Sequence, residues 1–123
     1  AWMRQIAKRC SRAWGSAARI LGYYVRDQKV LTLEEAVRKM TSLPASRLRL
    51  ADRGILRPGM AADLVAFDPE TVAARATYED PLRYSAGVPF VAVNGQLVVD
   101  GGKITAARPG RALRGPGYRP AVE

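Results

Sequence analysis

Residues 90–99 read FVAVNGQLVV, a stretch that predicts a β-hairpin. Two short apolar runs, residues 90–93 and 96–99, flank the dipeptide Asn94-Gly95. Asn-Gly accepts the positive φ angles of a type I′ turn, whose twist matches that of the paired strands. The stretch therefore predicts a small antiparallel sheet in the second half of the chain.

Short extended segments on both sides of the hairpin add to this sheet. Arg57-Pro58-Gly59-Met60 predicts a tight turn, because proline presets φ and glycine supplies a left-handed position. The turn leads into a strand at residues 63–67 (DLVAF) that ends at Asp68-Pro69. Gly101-Gly102 predicts another turn before a last strand around residues 103–105.

The first half of the chain has helical periodicity. Thr32 and Glu35 form a capping box for a helix whose apolar stripe contains Leu33, Ala36, Val37, Met40 and Leu43. Glu34 and Arg38 have the spacing of a favourable ion pair on this helix. Ser42 and Pro44 predict the start of a short following helix through about Leu48.

The amino-terminal residues 2–24 predict one or two amphipathic helices. Apolar residues recur every three or four positions, namely Trp2, Ile6, Ala13, Ala17, Leu21 and Tyr24. Gly15 predicts a break, because a glycine inside a helix costs about 1 kcal/mol relative to alanine.

These elements predict an α+β fold in which amino-terminal helices pack on a small antiparallel β-sheet. Residues 1–50 form the helical segment, and residues 51–107 form a small β-domain with its hairpin at 90–99. Residues 108–123 form a basic tail rich in glycine and proline.

Composition limits the function classes. The chain has 123 residues, 48% of them hydrophobic, which is typical of one modest globular domain. No apolar stretch is long enough to span a bilayer, so we expect no membrane association. The single cysteine, Cys10, excludes an intrachain disulfide and favours the reducing cytoplasm.

Positive charge is concentrated at the two ends of the chain. The net charge is +9, yet residues 27–100 carry nine basic and ten acidic side chains. Arg4, Lys8 and Arg12 share one helix face and could bind nucleic acid or an acidic protein partner. This basic interaction module is the alternative hypothesis. Nucleic acid is not the partner we expect, because dedicated binders usually carry their basic stripe on the folded scaffold.

Seven segments resemble the carboxy-terminal end of the N-acyl-D-amino-acid deacylases, the D-aminoacylase branch of the metal-dependent amidohydrolases. The resemblance extends from about Arg12 to Tyr118. Its segments are RAWG (12–15), RILGYYVR (19–26), KMTSLPA (39–45), DRG (52–54), GMAADLV (59–65), FDP (67–69) and VNG (93–95). It implies the last helices of a (β/α)₈ barrel followed by part of a β-sandwich, whose other strands come from the opposite end of the family's polypeptide.

The departures from the family concern its metal site. The family has a His-Pro pair where this chain has Cys10 and Ser11, and residues 1–9 contain no Ser-Asp-Gly segment carrying the family's catalytic aspartate. The whole chain contains no histidine. A catalytic zinc needs several protein ligands and an open position for water. We therefore expect no catalytic residue, no metal ligand and no cofactor in this chain, although the parent family uses zinc.

A few individual residues could be considered for catalytic or binding roles. Cys10 could be a thiolate nucleophile, but with no histidine base a small buried apolar residue is the expected role. Arg12 is a weak candidate for binding a substrate carboxylate. Asp63 and Asp68 lie at odd spacing around a strand, which favours turn and cap roles over a pair of catalytic acids.

The resemblance therefore implies a carboxy-terminal part of a zinc-dependent hydrolase of N-acyl-D-amino acids, inactive alone and acting by packing or association. Strands at residues 63–67 or 90–99 would have unpaired edges. We expect a homo-oligomer, most simply a dimer formed through those edges or by exchange of the amino-terminal helix. A separate chain carrying the barrel is the other possible partner.

Overall fold

The computed structural model describes residues 12–119, with side chains from Gly15 onward, and has the predicted α+β fold. Helix α1 spans Arg12–Arg19 and continues directly as a π-helical segment, Ile20–Asp27. Helices α2 and α3 span Leu33–Met40 and Ser42–Arg47. The strands are β1 Leu64–Ala66, β2 Phe90–Val93, β3 Gln96–Asp100 and β4 Lys103–Ile104.

The strands form one antiparallel sheet in the order β1-β2-β3-β4. Asn94 and Gly95 have φ angles of 47° and 80°, which confirms the type I′ turn of the hairpin. The turn before β1 is also confirmed: the N–H of Met60 donates to the carbonyl of Arg57 over 3.2 Å, and Gly59 has a φ of 86°.

Helix α2 begins as predicted. The hydroxyl of Thr32 accepts a hydrogen bond of 3.2 Å from the N–H of Glu35. Ala36 is fully buried, and Leu33, Val37 and Met40 pack around it. Among the described residues the ion pair on this helix joins Glu35 to Lys39, at 3.8 Å, instead of Glu34 to Arg38.

The predicted helix break near Gly15 is wrong. Gly15 lies inside α1, and a β-carbon added there would lie 3.0 Å from the β-carbon of Ala74. The helical geometry changes at Ile20, where the π-helical segment starts. Close packing against the chain around Ala74 offsets the low helix propensity of glycine.

The buried face of this helix also differs from the prediction. Leu21 is buried as predicted, but Ala17 and Tyr24 are exposed, and Ala18, which was not in the predicted stripe, is buried. Small residues at positions 15, 18 and 22 let the helix backbone approach the loop after β1 closely, which sets the helix rotation.

The core lies between the helices and that loop. Its fully buried centre is Val72, in contact with a cluster that contains Ala18, Leu21 and Ala36. A β-carbon on Gly22 would overlap the carbonyl oxygen of Val72, and one on Gly87, whose φ is 73°, would overlap the backbone N–H of Val72. Two glycines therefore enclose the Val72 backbone.

Arg26 fixes the same loop through its guanidinium. Its Nη1 donates to the carbonyl oxygens of Val72, Glu70 and Pro69 over 2.9, 3.0 and 3.3 Å. Within residues 12–119 these carbonyls accept no backbone hydrogen bond, so the arginine supplies the hydrogen bonds that a folded backbone requires.

Candidate functional site

The predicted basic face lies at the edge of the described chain. Arg4, Lys8 and Cys10 are outside the described residues, and Arg12 is the first residue of α1, before the described side chains begin. The interaction role of Arg4, Lys8 and Arg12, and the weak substrate-binding role of Arg12, stay predictions.

The described residues do not fit a zinc site. Among them no group of three or more histidine, cysteine, aspartate or glutamate side chains lies close enough together to hold a metal ion. The chain has no histidine, and its one cysteine precedes the described part.

The main polar cluster centres on Arg53, whose side chain is only 7% exposed. Its Nη1 donates to the Asp63 carboxylate, and its Nη2 donates to Oδ1 of Asn94 over 2.7 Å. The N–H of Asn94 donates to the other Asp63 oxygen over 2.8 Å. We call Arg53, Asp63 and Asn94 the Arg53 network.

The Arg53 network is a structural clamp. The backbone N–H of Asn94 and the guanidinium of Arg53 hold the pKa of Asp63 below its usual value. Arg53 Nε lacks a hydrogen bond but lies 3.7 Å from the Asp52 carboxylate. Because the ionised groups pair with one another, the network offers no free base or nucleophile. It joins the chain before β1 to the hairpin turn.

Sequence reasoning assigned Asn94 to a turn and gave Arg53 no role. The two residues are separated by 41 positions, so no local pattern connects them. The partners of Arg53 became visible only with its burial, because a buried arginine almost always has a charged or hydrogen-bonding partner.

Asp68 has the predicted turn and cap role. Its carboxylate accepts hydrogen bonds from the Thr71 hydroxyl over 2.7 Å and from the N–H of Glu70 over 3.0 Å. The same two donors lower the pKa of Asp68. Asp63 and Asp68 each bind separate groups, as expected for residues that are not a pair of catalytic acids.

The faces of the sheet carry exposed apolar side chains. Cross-strand partners share a face, so the register places Leu64, Ala66, Phe90, Ala92 and Leu97 together. We call this set the Leu97 face. The side chains of Leu64, Phe90 and Leu97 are 44–45% exposed. The opposite face contains Val65, Val91, Val99 and Ile104, of which Val65 and Ile104 are more than half exposed.

Among the described strands, β1 and β4 lie at the two edges of the sheet. An unpaired edge was expected at residues 63–67 or at residues 90–99: β1 does lie at an edge, whereas both hairpin strands are internal. None of the strand residues is buried.

No described helix is both long and apolar enough to cross a bilayer.

The chain is similar in sequence to a known protein family. The model of the amidohydrolase family matches residues 3–99. The chain is 52% identical over 103 residues to N-acyl-D-glutamate deacylase of Alcaligenes xylosoxydans xylosoxydans, a match that covers 84% of this chain and 21% of that enzyme.

Two solved structures are also similar. The N-acyl-D-glutamate deacylase of Bordetella bronchiseptica, complexed with zinc and a phosphonate inhibitor, is 52% identical with a TM-score of 0.71 over 72% of this chain and 19% of that one. A D-aminoacylase mutant in complex with copper chloride is 47% identical with a TM-score of 0.81 over 85% and 22% of the two chains. The chain thus spans about a fifth of the length of these relatives.

Proposed function

This chain belongs to the amidohydrolase family, and from that premise we propose that it is the carboxy-terminal part of a D-aminoacylase-like hydrolase that acts by packing on the rest of such an enzyme. The activity of the whole would be zinc-dependent hydrolysis of the amide bond of N-acyl-D-amino acids. The names of the deacylase relatives and the zinc in one of their structures support this assignment.

The observation that carries the proposal is the exposed sheet. Both of its faces bear apolar side chains, while the buried apolar residues belong to the helices and the loop around Val72. A sheet is normally stabilised by burying at least one face. Contiguous exposed apolar surface of this kind marks an interaction site.

Catalysis by this chain alone is not expected. A hydrolytic zinc site needs imidazole, thiolate or carboxylate ligands in one cluster, and the chain contains no histidine. We expect the purified chain, incubated with zinc and N-acyl-D-glutamate, to give no turnover. Hydrolysis that increases in proportion to the concentration of the chain would contradict the proposal.

Association can be tested by supplying the chain in trans. The deacylase of Alcaligenes would be produced without the fifth that matches this chain, and the chain would then be added with zinc. We expect deacylase activity to appear on mixing. Activity that stays at the level of the truncated enzyme, although the two polypeptides co-purify, would exclude a contribution to catalysis.

A matched pair of variants locates the association surface. Leu97→Lys places a charge on the Leu97 face, whereas Gln96→Lys adds the same charge at the adjacent exposed position at the hairpin turn. We expect Leu97→Lys to abolish the recovered activity and Gln96→Lys to retain most of it. Equal loss in both variants would argue against packing through this face.

A homodimer is the second candidate for the associated state. β1 and β4 are the edge strands within the described part of the chain, and backbone N–H and C=O groups at such edges can pair with a second copy. Exchange of the amino-terminal helix is the other route. Sedimentation should show a dimer at micromolar concentration, and a monomer throughout that range would exclude it.

The cytoplasm is the proposed compartment, since one cysteine can form no intrachain disulfide.

A further inference from the structure

A basic cleft lies between the loop after α3 and the carboxy-terminal tail. Residues 49–52 form one wall and residues 111–116 form the other, around a volume of about 400 Å³. Arg49, Arg111 and Arg114 line the cleft, and Asp52 is the one acidic residue in its walls. We call this feature the arginine cleft.

Both walls lie next in sequence to residues that belong to the Arg53 network or are bound by it. Arg53 directly follows the first wall, and it binds Asn94. The Asn94 side-chain amide donates to the carbonyl of Pro109 over 2.7 Å, just before the second wall. A turn from Gly115 to Tyr118 closes that wall, where the Arg114 guanidinium lies 4.1 Å from the centre of the Tyr118 ring. The tail is therefore held in place where the cleft forms.

The positive charge of the cleft is not neutralised locally. Within the described part of the chain, neither Arg49 nor Arg111 forms an ion pair or a side-chain hydrogen bond. The Asp52 carboxylate lies 3.7 Å from Arg53 Nε. Asp63, whose pKa the charge of Arg111 helps to lower, is already bound by Arg53 and Asn94.

The backbone at Arg49 has a defined conformation. Arg49 follows the C-cap of α3 with a φ of 54°, in the left-handed region. The N–H of Leu50 donates to the carbonyl of Ala45 over 2.9 Å, and that of Arg49 to Ser46 over 3.1 Å. These bonds define a Schellman motif, whose left-handed position favours glycine. The Schellman motif therefore fixes the backbone at the start of the first wall.

We propose that the arginine cleft binds a phosphate group of a small molecule through Arg49, Arg111 and Arg114. Guanidinium groups present paired N–H donors that match the oxygen atoms of phosphate. The cleft is large enough for a phosphate with a small substituent, and its net positive charge attracts such anions. This site is independent of the packing role proposed above.

Inorganic phosphate is the probe, titrated into the full chain at constant ionic strength with chloride as the balancing anion. Chemical shifts of the backbone amides in the two walls should change and saturate. Arg111→Gln with Arg114→Gln should abolish saturation. Shifts that grow linearly, or that follow chloride equally, would overturn the proposal.

Arg49→Gly separates binding from folding. Glycine relieves the left-handed strain, so the thermal midpoint should rise by about 4 °C. The same change removes one guanidinium, so phosphate affinity should fall about threefold to tenfold. A variant that keeps its phosphate affinity would contradict a role for Arg49.

Lys29→Gly is the matched control. Lys29 also follows a helix C-cap in the left-handed region, with a φ of 52°, and it lies outside the residues that line the cleft. The substitution removes one positive charge and relieves the same kind of strain, so we expect unchanged phosphate affinity. An equal loss in Lys29→Gly and Arg49→Gly would show a general charge effect and would overturn the proposal.

Discussion

The surroundings of Val72 and the four-stranded sheet differ in how completely this chain buries them. Val72 is fully enclosed by Gly22, Gly87 and the helix residues around Leu21. In the sheet no strand residue is buried, and Val65 is 56% exposed. The helical region therefore has its own core, whereas the sheet exposes the apolar surface that the proposed packing on the rest of an amidohydrolase requires.

The largest expected effect is that of Gly22→Val. A β-carbon there would overlap the carbonyl oxygen of Val72, and an overlap with backbone leaves little room to adjust. We expect a loss of more than about 3 kcal/mol in the free energy of unfolding, measured by chemical denaturation. Gly110→Val is the control, because no atom lies within 4 Å of a β-carbon at that position. A similar loss of unfolding free energy in Gly22→Val and Gly110→Val would contradict close packing around the Val72 backbone.

Removing side-chain volume compares the two regions directly. Val72→Ala should lower the free energy of unfolding by about 2 kcal/mol, because the substitution leaves a cavity in a closed core. Val65→Ala removes the same atoms from an exposed strand and should change stability by less than about 0.5 kcal/mol. Equal losses would mean that the sheet is already packed against something in the isolated chain.

Asp63 connects the sheet to the chain before it, and its removal should have a smaller effect. Asp63→Asn deletes the charge that faces Arg53, and we expect a loss of about 1 kcal/mol at neutral pH. Asp100→Asn, at the exposed end of β3, is the control. Equal free energies of unfolding for Asp63→Asn and Asp100→Asn would show that the Arg53 network does not stabilise the fold.

The pH dependence of folding stability tests the contribution of the ionised Asp63 carboxylate. The folded state holds the pKa of Asp63 below its usual value, so its stabilisation is present above the unfolded pKa of about 3.9 and is lost as pH falls through the folded value. Acid denaturation curves should therefore be shallower below about pH 4 for Asp63→Asn than for the unchanged chain.

Local signals in the sequence predicted the secondary structure well. The Asn94-Gly95 turn and the Thr32 cap each depend on residues within a few positions, and both have the predicted geometry. The Val72 core was not predicted. Val72 follows Asp68-Pro69 in a segment without helix or strand periodicity, and its burial depends on Gly22, which the sequence presents only as a weak helix residue.

For the candidate functional site, too, local features could be predicted from the sequence and contacts between distant segments could not. The family, and the absence of histidine ligands, could be read from the residues, whereas the Arg53 network and the arginine cleft join segments that are distant in sequence. The left-handed backbone at Arg49 was also not predictable, because arginine carries no preference for that conformation.

Hydrogen–deuterium exchange of the chain, alone and mixed with the truncated Alcaligenes deacylase, tests most directly whether the sheet is a surface for the rest of an amidohydrolase. We expect the amides of residues 90–100 to exchange markedly more slowly in the mixture, while those of residues 18–26 change little. Unchanged exchange in the sheet, under conditions where the two polypeptides co-purify, would contradict packing through the sheet.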